Sequence, residues 1–284
     1  MICFVLINYN AADVTTECVN NIKKLNITEK RIIIIDNCSP NKSGEKLRQK
    51  YSEDNEVVVE ISKQNLGFAR GNNLGFTIAK KYNPEFIVVM NNDMEIQTID
   101  FEQSLKQSYA KNNFDILGPD VYSVKYKYHQ NPQRELNYSL KDLKKMRNTY
   151  FLKVHMKFIF WIKWYLLSRI KTFKKEEKKT LVLPESGSYP LHGSFYVLSR
   201  GYFKDRDTFF YDKTFMYMES YILHYEVKKN RNRMIYDPSI KVDHFEDVST
   251  DRTFSDGYKK AIFTNKCMLD SCQAYINLIE KDRN

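Results

Sequence analysis

The sequence has few cysteines, and their spacing indicates no structural role. Of the five cysteines, only Cys267 and Cys272 lie close together. Neither of them has a further Cys or a His at the spacing of a zinc site. An odd number of scattered cysteines is typical of a chain that folds in a reducing compartment. We therefore expect neither a disulfide framework nor a zinc-binding fold.

Long apolar runs are also absent from the sequence. The apolar run at residues 2–7 follows no basic segment and is too short for a signal peptide. No stretch approaches the roughly 20 apolar residues of a transmembrane helix. The chain contains no internal repeat and no low-complexity segment. We therefore predict a cytoplasmic protein that meets a membrane only peripherally, at its inner face.

Acidic residues are scarce between residues 141 and 179. Thirteen Lys and Arg residues stand there against three Asp and Glu residues, which accounts for the net charge of +10 of the whole chain. Residues 158–167 add both tryptophans among aliphatic residues, a mixture that suits a helix on an anionic membrane. We predict a basic, amphipathic helical insert at 123–183 that binds membrane through 145–180.

Two alternatives to a membrane-binding insert remain. A helical pair packed on the sheet, with its lysines solvated, would produce the same pattern. Nucleic-acid binding would also use the charge, but the aromatic residues are clustered with aliphatic ones instead of being spaced for base stacking. We therefore expect no nucleic-acid partner.

The first ~90 residues alternate between apolar runs and segments with helical patterns. The apolar runs have the composition of strands that are buried on both faces of a parallel sheet; they are residues 2–7, 32–35, 57–61 and 86–90. This alternation predicts an α/β fold with a Rossmann-like, mostly parallel sheet flanked by helices. A chain of 284 residues suits one large domain with an insert. We place its two halves at 1–122 and 184–284.

Three of these predicted strands end in Asn or Asp, at Asn8, at Asp36 and at residues 91–93. Ligands of open α/β sheets bind at the carboxyl ends of the strands. A carboxylate at such a strand end is costly unless something pairs with it. A divalent cation carrying a diphosphate would satisfy it, because hard cations prefer oxygen ligands. A single such strand end could also be a plain Asn-rich turn, but the repetition at three strand ends favours a site for a diphosphate and a divalent cation.

A glycine-rich segment follows the third predicted strand. Gly67, Gly71 and Gly75 recur at a spacing of four, which matches neither the dinucleotide fingerprint nor a Walker loop. With Arg70 between them, they could present backbone amides and a cation to phosphate ahead of a helix. Alternatively, the glycines allow a helix to pack closely on its neighbours.

Five segments occur in an order and spacing that resemble a known family: residues 5–10, 35–37, 65–73, 91–93 and 192–194. Together they resemble the family 2 glycosyltransferases of the GT-A fold, especially rhamnosyl- and galactosyltransferase-like enzymes of bacterial polysaccharide and capsule synthesis. The resemblance covers most of the chain outside 123–183. It implies an enzyme that transfers a sugar from a nucleotide-activated donor.

The resemblance also implies roles for individual residues. Residues matching the family's nucleotide-sugar site would be Asn8, Asn10, Asp36, Asn65, Gly67, Arg70, Asn72 and Asn92. Within that set, Asp36 would accept a hydrogen bond from a uracil or thymine ring. Asp93 would ligate Mg²⁺ or Mn²⁺, with His244 beside the metal and diphosphate. Gly193 and Ser194 would lie near the sugar and the acceptor.

One departure from the family pattern concerns the catalytic base. The family usually has an acidic pair after an aromatic stretch, with Asp second, whereas this chain has Glu219 followed by Ser220. A serine without a partner is far too weak a base. Glu219 is therefore the candidate base, with Asp243 or Glu246 as substitutes. The remaining alternatives are a substitution that cripples catalysis and a Glu219 that only caps a helix.

We therefore predict an inverting, metal-dependent glycosyltransferase that uses a UDP- or dTDP-sugar. Its acceptor would be a glycan on a polyprenyl-diphosphate lipid, and the C-terminal helix at 258–279 offers a surface for a homodimer. One rival is a catalytically silent scaffold that binds glycan or membrane. The other is a sugar-nucleotide nucleotidyltransferase, which would need a Gly-rich basic loop after the first strand, where residues 8–12 have none.

Overall fold

The computed structural model describes residues 1–133, 138–156, 161, 189–246 and 257–283. The predicted aromatic helix at 158–167 therefore lies outside the described residues, except for Trp161. The described helices are α1 (Ala12–Lys24), α2 (Ser43–Lys50), α3 (Gly67–Lys80), α4 (Phe101–Asn112), α5 (Leu140–His155), α6 (Arg200–Phe203), α7 (Glu219–Lys229) and α8 (Gly257–Arg283). The described strands are β1 (Ile2–Asn8), β2 (Lys30–Asp36), β3 (Val57–Ile61), β4 (Phe86–Asn91), β5 (Met94–Ile96), β6 (Ile116–Ser123), β7 (Tyr128–His129), β8 (Phe195–Ser199) and β9 (Met234–His244).

These strands form one sheet in the order β3-β2-β1-β4-β8-β6-β9-β5, and β7 pairs with β6. The strands β1 to β4 run parallel to one another, as the alternation of apolar runs and helices predicts. The strand β8 enters antiparallel between β4 and β6, and β9 is parallel to β6. The second half of the chain therefore extends the sheet of the first half.

Both faces of the sheet are covered, which explains why its strands are apolar without alternation. In β1, Phe4 and Leu6 belong to the apolar layer on one face, and Cys3 and Val5 belong to the layer on the other. The first layer includes residues of α1 and α4, and the second includes residues of α3 and α7. Because β1 pairs in parallel with both β2 and β4, the carboxyl ends of these three strands meet at one edge.

The glycine-rich segment forms the first turns of α3 and is not a loop ahead of a helix. A Cβ atom on Gly75 would overlap the Val5 side chain, and one on Gly71 would lie 3.0 Å from Ile7 Cδ1. These two glycines therefore let α3 approach β1 closely, which is the packing interpretation of the pattern.

The strand β9 joins two segments that the sequence predicts as separate strands with a turn at residues 237–238. Pro119 pairs with Asp237, but the next residue, Asp120, pairs with Lys241, so three residues of β9 bulge out of the ladder. A proline at 238 cannot donate to the ladder, which accounts for a bulge at this point. Beyond it, β9 places His244 opposite Met94, next to Asp93.

The helices α5, α7 and α8 share a third apolar cluster. Leu143 of α5 is fully buried there with Ile222 of α7 and Ile276 of α8. The helix α5 of the predicted insert is thus packed against the carboxyl-terminal half of the chain, whereas β7 of the same insert pairs with β6. The outer boundaries of the insert remain a prediction. None of the described helices is both long enough and apolar enough to span a bilayer.

Candidate functional site

A cleft of about 860 Å³ opens at the edge where β1 and β4 end. Nine of the residues that the sequence proposes for the site line it: Asn65, Gly67, Asn72, Asn92, Asp93, Gly193, Ser194, Glu219 and His244. They come from β9, from the starts of α3 and α7, and from the loops after β4 and before β8. The fold thus brings together segments that are up to about 180 residues apart in the sequence.

Four other proposed residues, Asn8, Asn10, Asp36 and Arg70, are not among the described residues that line the cleft. Because α3 already begins at Gly67, Arg70 lies on the exposed side of its first turn, and its Nε donates to the carbonyl oxygen of the preceding turn at 3.1 Å. The contact of Arg70 with a diphosphate stays a prediction, and the exposed position of Arg70 outside the cleft does not favour it.

Asp36 ends β2 and is buried, with 1% of its surface exposed. Its Oδ1 accepts hydrogen bonds from the Asn8 amide at 2.6 Å and from the Ser39 hydroxyl at 2.6 Å, and its Oδ2 accepts one from the Ser39 N–H at 2.9 Å. These donors compensate the buried charge. Asp36 therefore ties the ends of β1 and β2 together, and its contact with a base ring stays a prediction.

Asn10 has a left-handed backbone, with φ at 58°. Its side-chain Oδ1 is buried and has no hydrogen-bond partner among the described residues. An acceptor left in this state costs free energy unless a ligand donates to it. Asn10 is thus an open acceptor next to Tyr9, which lines the cleft.

The start of α3 is fixed to the end of β2 by Asn37. The Asn37 side chain accepts a hydrogen bond from Leu66 N at 2.8 Å and donates one to the Gly67 carbonyl at 3.0 Å. Gly67 has φ at +75°, and a Cβ atom there would overlap the Phe215 carbonyl oxygen. Gly67 is therefore needed for the close approach of the segment that leads to Glu219.

Asp93 and His244 face each other in the cleft, with Asp93 Oδ1 3.4 Å from His244 Nε2. His244 Nδ1 lies 2.7 Å from the Gln130 carbonyl oxygen Oε1, and the Gln130 amide donates to Glu246 Oε1 at 2.7 Å. Because Glu246 fixes the Gln130 amide, Nδ1 of His244 carries the proton in this bond. When the ring carries this proton alone, its Nε2 lone pair faces a carboxylate oxygen.

Two acceptor atoms that face each other are stabilised by a cation between them. Asp93 Oδ1 is buried and accepts no hydrogen bond from the described residues. A carboxylate and an imidazole suit Mn²⁺, and the carboxylate suits Mg²⁺. In the part of the chain that is described, no group of three or more His, Cys, Asp and Glu side chains could hold a metal ion. The pair thus fits a metal whose remaining ligands are diphosphate oxygens and water.

His192 and Ser194 form the wall of the cleft beside the Asp93–His244 pair. His192 Nδ1 lies 2.7 Å from the Ser194 hydroxyl, and the His192 and His244 rings are 5.6 Å apart between centroids. Gly193 lies between them, and a Cβ atom there would be 3.9 Å from Ser220 Cβ. The wall that the sequence assigns to sugar and acceptor therefore adjoins both the Asp93–His244 pair and the start of α7.

Glu219 is the first residue of α7 and is buried, with 7% of its surface exposed. Burial raises the pKa of its carboxyl from 4.5 to about 8, against hydrogen bonds from its own N–H and the Thr214 hydroxyl. Its Oε1 has no hydrogen-bond partner among the described residues. The two residues before it, Tyr217 and Met218, have φ of 72° and 67°. Strain of this kind costs about 1–3 kcal/mol per residue and is typical of functional sites.

Sequence reasoning assigned no role to Thr15, Gln130 or His192. Gln130 and Thr15 hold site residues through hydrogen bonds that only the tertiary structure reveals. His192 belongs to the segment 192–194 that carries the family resemblance, and its position directly before Gly193 is a sequence signal for a place in the site. Its side chain lines the cleft.

Three comparisons with known proteins agree with this architecture. A family model described as Glycosyl transferase family 2 matches residues 3–162, more than half of the chain. Glycosyltransferase GlyG of Streptococcus pneumoniae is 28% identical over 115 residues, which are 40% of this chain and 37% of that protein.

Two solved structures share the fold at low sequence identity. Residues 1–349 of S. aureus TarS in complex with UDP-GlcNAc give a TM-score of 0.53 at 14% identity over 93% of this chain and 64% of that one. GalNAc-T7 with UDP, GalNAc and Mn²⁺ gives a TM-score of 0.59 at 14% identity, over 93% of this chain and 49% of that one. The chain thus spans less than two thirds of each of these relatives, and the likeness confirms the predicted GT-A fold.

Proposed function

The chain belongs to glycosyl transferase family 2 and is a glycosyltransferase, and we propose that it moves a sugar from a UDP- or dTDP-sugar to a glycan hydroxyl with inversion. The observation that carries this proposal is the shared cleft of the Asp93–His244 pair and the buried Glu219 carboxyl. A TarS structure contains UDP-GlcNAc, which supports a nucleotide-sugar donor. This assignment replaces the scaffold and nucleotidyltransferase alternatives.

The donor's diphosphate would be held at Asp93 and His244. A Mg²⁺ or Mn²⁺ ion bound there neutralises the charge that develops on the leaving diphosphate. Gln130 keeps the proton of His244 on Nδ1, so that Nε2 faces the ion and not a hydrogen-bond donor. The Asn10 oxygen would accept a hydrogen bond from the nucleoside.

Glu219 would remove the proton of the acceptor hydroxyl as it attacks the sugar carbon. The other two candidate bases are less suited. The Asp243 carboxyl accepts a hydrogen bond from Gln97 Nε2 at 2.9 Å and does not line the cleft, and Glu246 already accepts one from Gln130. Of the three, Glu219 alone has a buried oxygen without a partner. A raised pKa also matches a base that must take up a proton near neutral pH.

The acceptor would be a glycan on a polyprenyl-diphosphate lipid at an anionic membrane. The helix α5 lines the cleft with Met146 and Tyr150, while Phe151 and Leu152 of α5 and Met156 directly after it expose 45–54% of their surface. Exposed apolar side chains on a basic helix favour binding to an anionic bilayer surface. The same helix would thus bring the cleft to the membrane that carries the acceptor.

A donor-turnover assay tests the sugar transfer. Wild-type protein with Mn²⁺ should release UDP or dTDP from one member of a panel of nucleotide sugars. Glu219→Gln should lower turnover roughly 100-fold or more, because it removes the base. Ser220→Ala is the matched control and should keep turnover within a few-fold. Equal loss in both variants would refute Glu219 as the base. A wild type without turnover, in which Ser220→Asp restores activity, would favour the silent scaffold.

A flotation assay with liposomes tests the membrane contact. Wild-type protein should float with vesicles of phosphatidylglycerol and phosphatidylcholine and not with phosphatidylcholine alone. Leu152→Glu should reduce flotation and leave UDP affinity unchanged. Ile99→Glu is the matched control, because Ile99 is equally exposed, at 51%, but lies outside α5. Equal loss from both variants would show that α5 is not the contact.

A further inference from the structure

A chain of three hydrogen bonds runs from the end of β2 to the turn that carries Asp93. The Asn8 amide donates to Asp36 Oδ1 at 2.6 Å, the Thr15 hydroxyl donates to Asn8 Oδ1 at 2.8 Å, and the Asn92 amide donates to the Thr15 oxygen at 2.8 Å. All four residues are buried, with at most 5% of their surface exposed. Thr15 of α1 thus links Asn8, at the end of β1, to the turn that follows β4.

The direction of every bond in this chain is fixed. Asn8 Nδ2 also donates to the Ser43 hydroxyl at 2.8 Å, so the other end of its amide, Oδ1, must be the acceptor for Thr15. The Thr15 hydroxyl lies 3.0 Å from the Ala11 carbonyl as well, but its contact with Asn8 Oδ1 is shorter, at 2.8 Å, and the Ala11 oxygen is already satisfied by the Thr15 N–H. The single hydroxyl proton therefore serves Asn8, and a lone pair of Thr15 is left to accept the bond from Asn92.

We propose that Thr15 is a positioning residue that couples the Asp36 carboxylate to the metal-binding turn. Asn92 directly precedes Asp93, so fixing its amide on α1 limits the rotation of the turn. Asp93 then keeps its Oδ1 3.4 Å from His244 Nε2, a spacing that is compatible with two ligands of one cation. This role rests on the proposed function and adds to it a residue that touches neither nucleotide nor metal.

Loss of the Thr15 hydroxyl would leave two buried polar atoms unpaired, Asn92 Nδ2 and Asn8 Oδ1. The turn would then be free to rotate so that the Asn92 amide reaches water, and Asp93 would move with it. Removing a group that orients a metal ligand typically costs roughly 10- to 100-fold in metal affinity. Thr15 bonds Asn92 and not the proposed ligand Asp93 itself. We therefore expect the loss of metal affinity to lie near the lower bound of this range, at about 10-fold.

The test compares Thr15→Val with Thr15→Ser and with Thr16→Val. Valine matches threonine in shape but lacks the hydroxyl, whereas serine keeps it. Thr16 is the next residue of the same helix, lies beside Tyr51 and is outside the hydrogen-bond chain, so its variant is the matched control. Isothermal titration of Mn²⁺ into each protein saturated with UDP gives the metal affinity directly, and thermal unfolding without ligand gives the stability.

We expect Thr15→Val to weaken Mn²⁺ binding about 10-fold and Thr15→Ser to restore it to within about 3-fold of wild type. Thr16→Val should bind Mn²⁺ as wild type does. Thr15→Val with unchanged Mn²⁺ affinity, or an equal loss in Thr16→Val, would overturn the positioning role and leave the proposed function standing. If the wild type binds UDP but the UDP-saturated protein binds no Mn²⁺, the metal-dependent function is refuted, and this inference with it.

Discussion

Replacing Glu219 with glutamine should change how stability depends on pH, in a window set by the pKa of its carboxyl. In the folded protein burial raises that pKa to about 8, whereas an unfolded glutamate titrates near 4.5. Between these values the folded protein keeps the proton and the unfolded chain releases it. Stability of the wild type should therefore fall as pH rises, by about 1.4 kcal/mol per pH unit.

The magnitude is large enough to measure. From pH 5.5 to 7.5 the wild type should lose about 3 kcal/mol of stability relative to Glu219→Gln, which has no proton to release. For a chain of this size that corresponds to roughly 5–10 °C in Tm. Thermal unfolding of both proteins across this range, monitored by circular dichroism, measures the difference.

Glu102→Gln is the control for this experiment. Burial of Glu102 raises the pKa of its carboxyl, but hydrogen bonds from Lys106 and Thr28 outweigh burial and hold it below its usual value. Its stabilising effect is present above pH 4.5 and is lost only as pH falls through the lowered pKa. The difference between Glu102→Gln and wild type should therefore stay constant from pH 5.5 to 7.5. Parallel pH curves for wild type and Glu219→Gln would refute the buried, protonated carboxyl.

The same pKa predicts the pH dependence of catalysis. Only the carboxylate form of Glu219 can accept the proton of the acceptor hydroxyl, so kcat/KM should rise with pH, reach half its maximum near pH 8 and level off about one unit above it. A steady-state profile from pH 6 to 9 with Mn²⁺ and a limiting donor concentration measures it. A profile that is flat below pH 7 would contradict the assignment of Glu219 as the base.

Two glycines provide further tests. Gly67→Ala should destabilise the protein by more than the roughly 1–3 kcal/mol of a strained left-handed residue, because the new Cβ atom also overlaps the Phe215 carbonyl oxygen; urea unfolding measures this, and unchanged stability would contradict it. Gly44→Ala would place a Cβ atom 2.5 Å from Asp36 Cγ, so Tm and UDP affinity should both fall. Gly201→Ala, whose nearest neighbour is 3.9 Å away, should change neither, and equal effects of the two would refute the argument.

The parallel half of the sheet was predictable because its strands carry a local signal. Apolar runs predicted β1 to β4, and the polar ends of β1, β2 and β4 predicted that Asn8, Asp36 and Asn92 would meet. The antiparallel insertion of β8 and the bulged pairing of β9 depend on partners far along the chain. No local pattern states which strands become neighbours, so those features appeared only in the structure.

The chemistry of the site was predictable to a smaller extent. The resemblance to family 2 glycosyltransferases implied a carboxylate–histidine pair, and the fold brings Asp93 and His244 together. The same reasoning placed Arg70 at the diphosphate, because a glycine-rich segment before a helix and the beginning of a helix look alike in sequence. Whether a strand-end Asn or Asp points into the cleft or into the hydrogen-bond chain depends on neighbours such as Thr15, which lies on another element.

Calorimetric titration of UDP into the wild type and into Asp93→Asn, each with Mn²⁺ and with EDTA, tests the central claim most directly. The account predicts that Mn²⁺ tightens UDP binding to the wild type by about 10-fold or more and leaves Asp93→Asn nearly insensitive to the metal. Absence of UDP binding to the wild type, or an equal effect of Mn²⁺ on both proteins, would contradict a metal-assisted nucleotide-sugar site at Asp93.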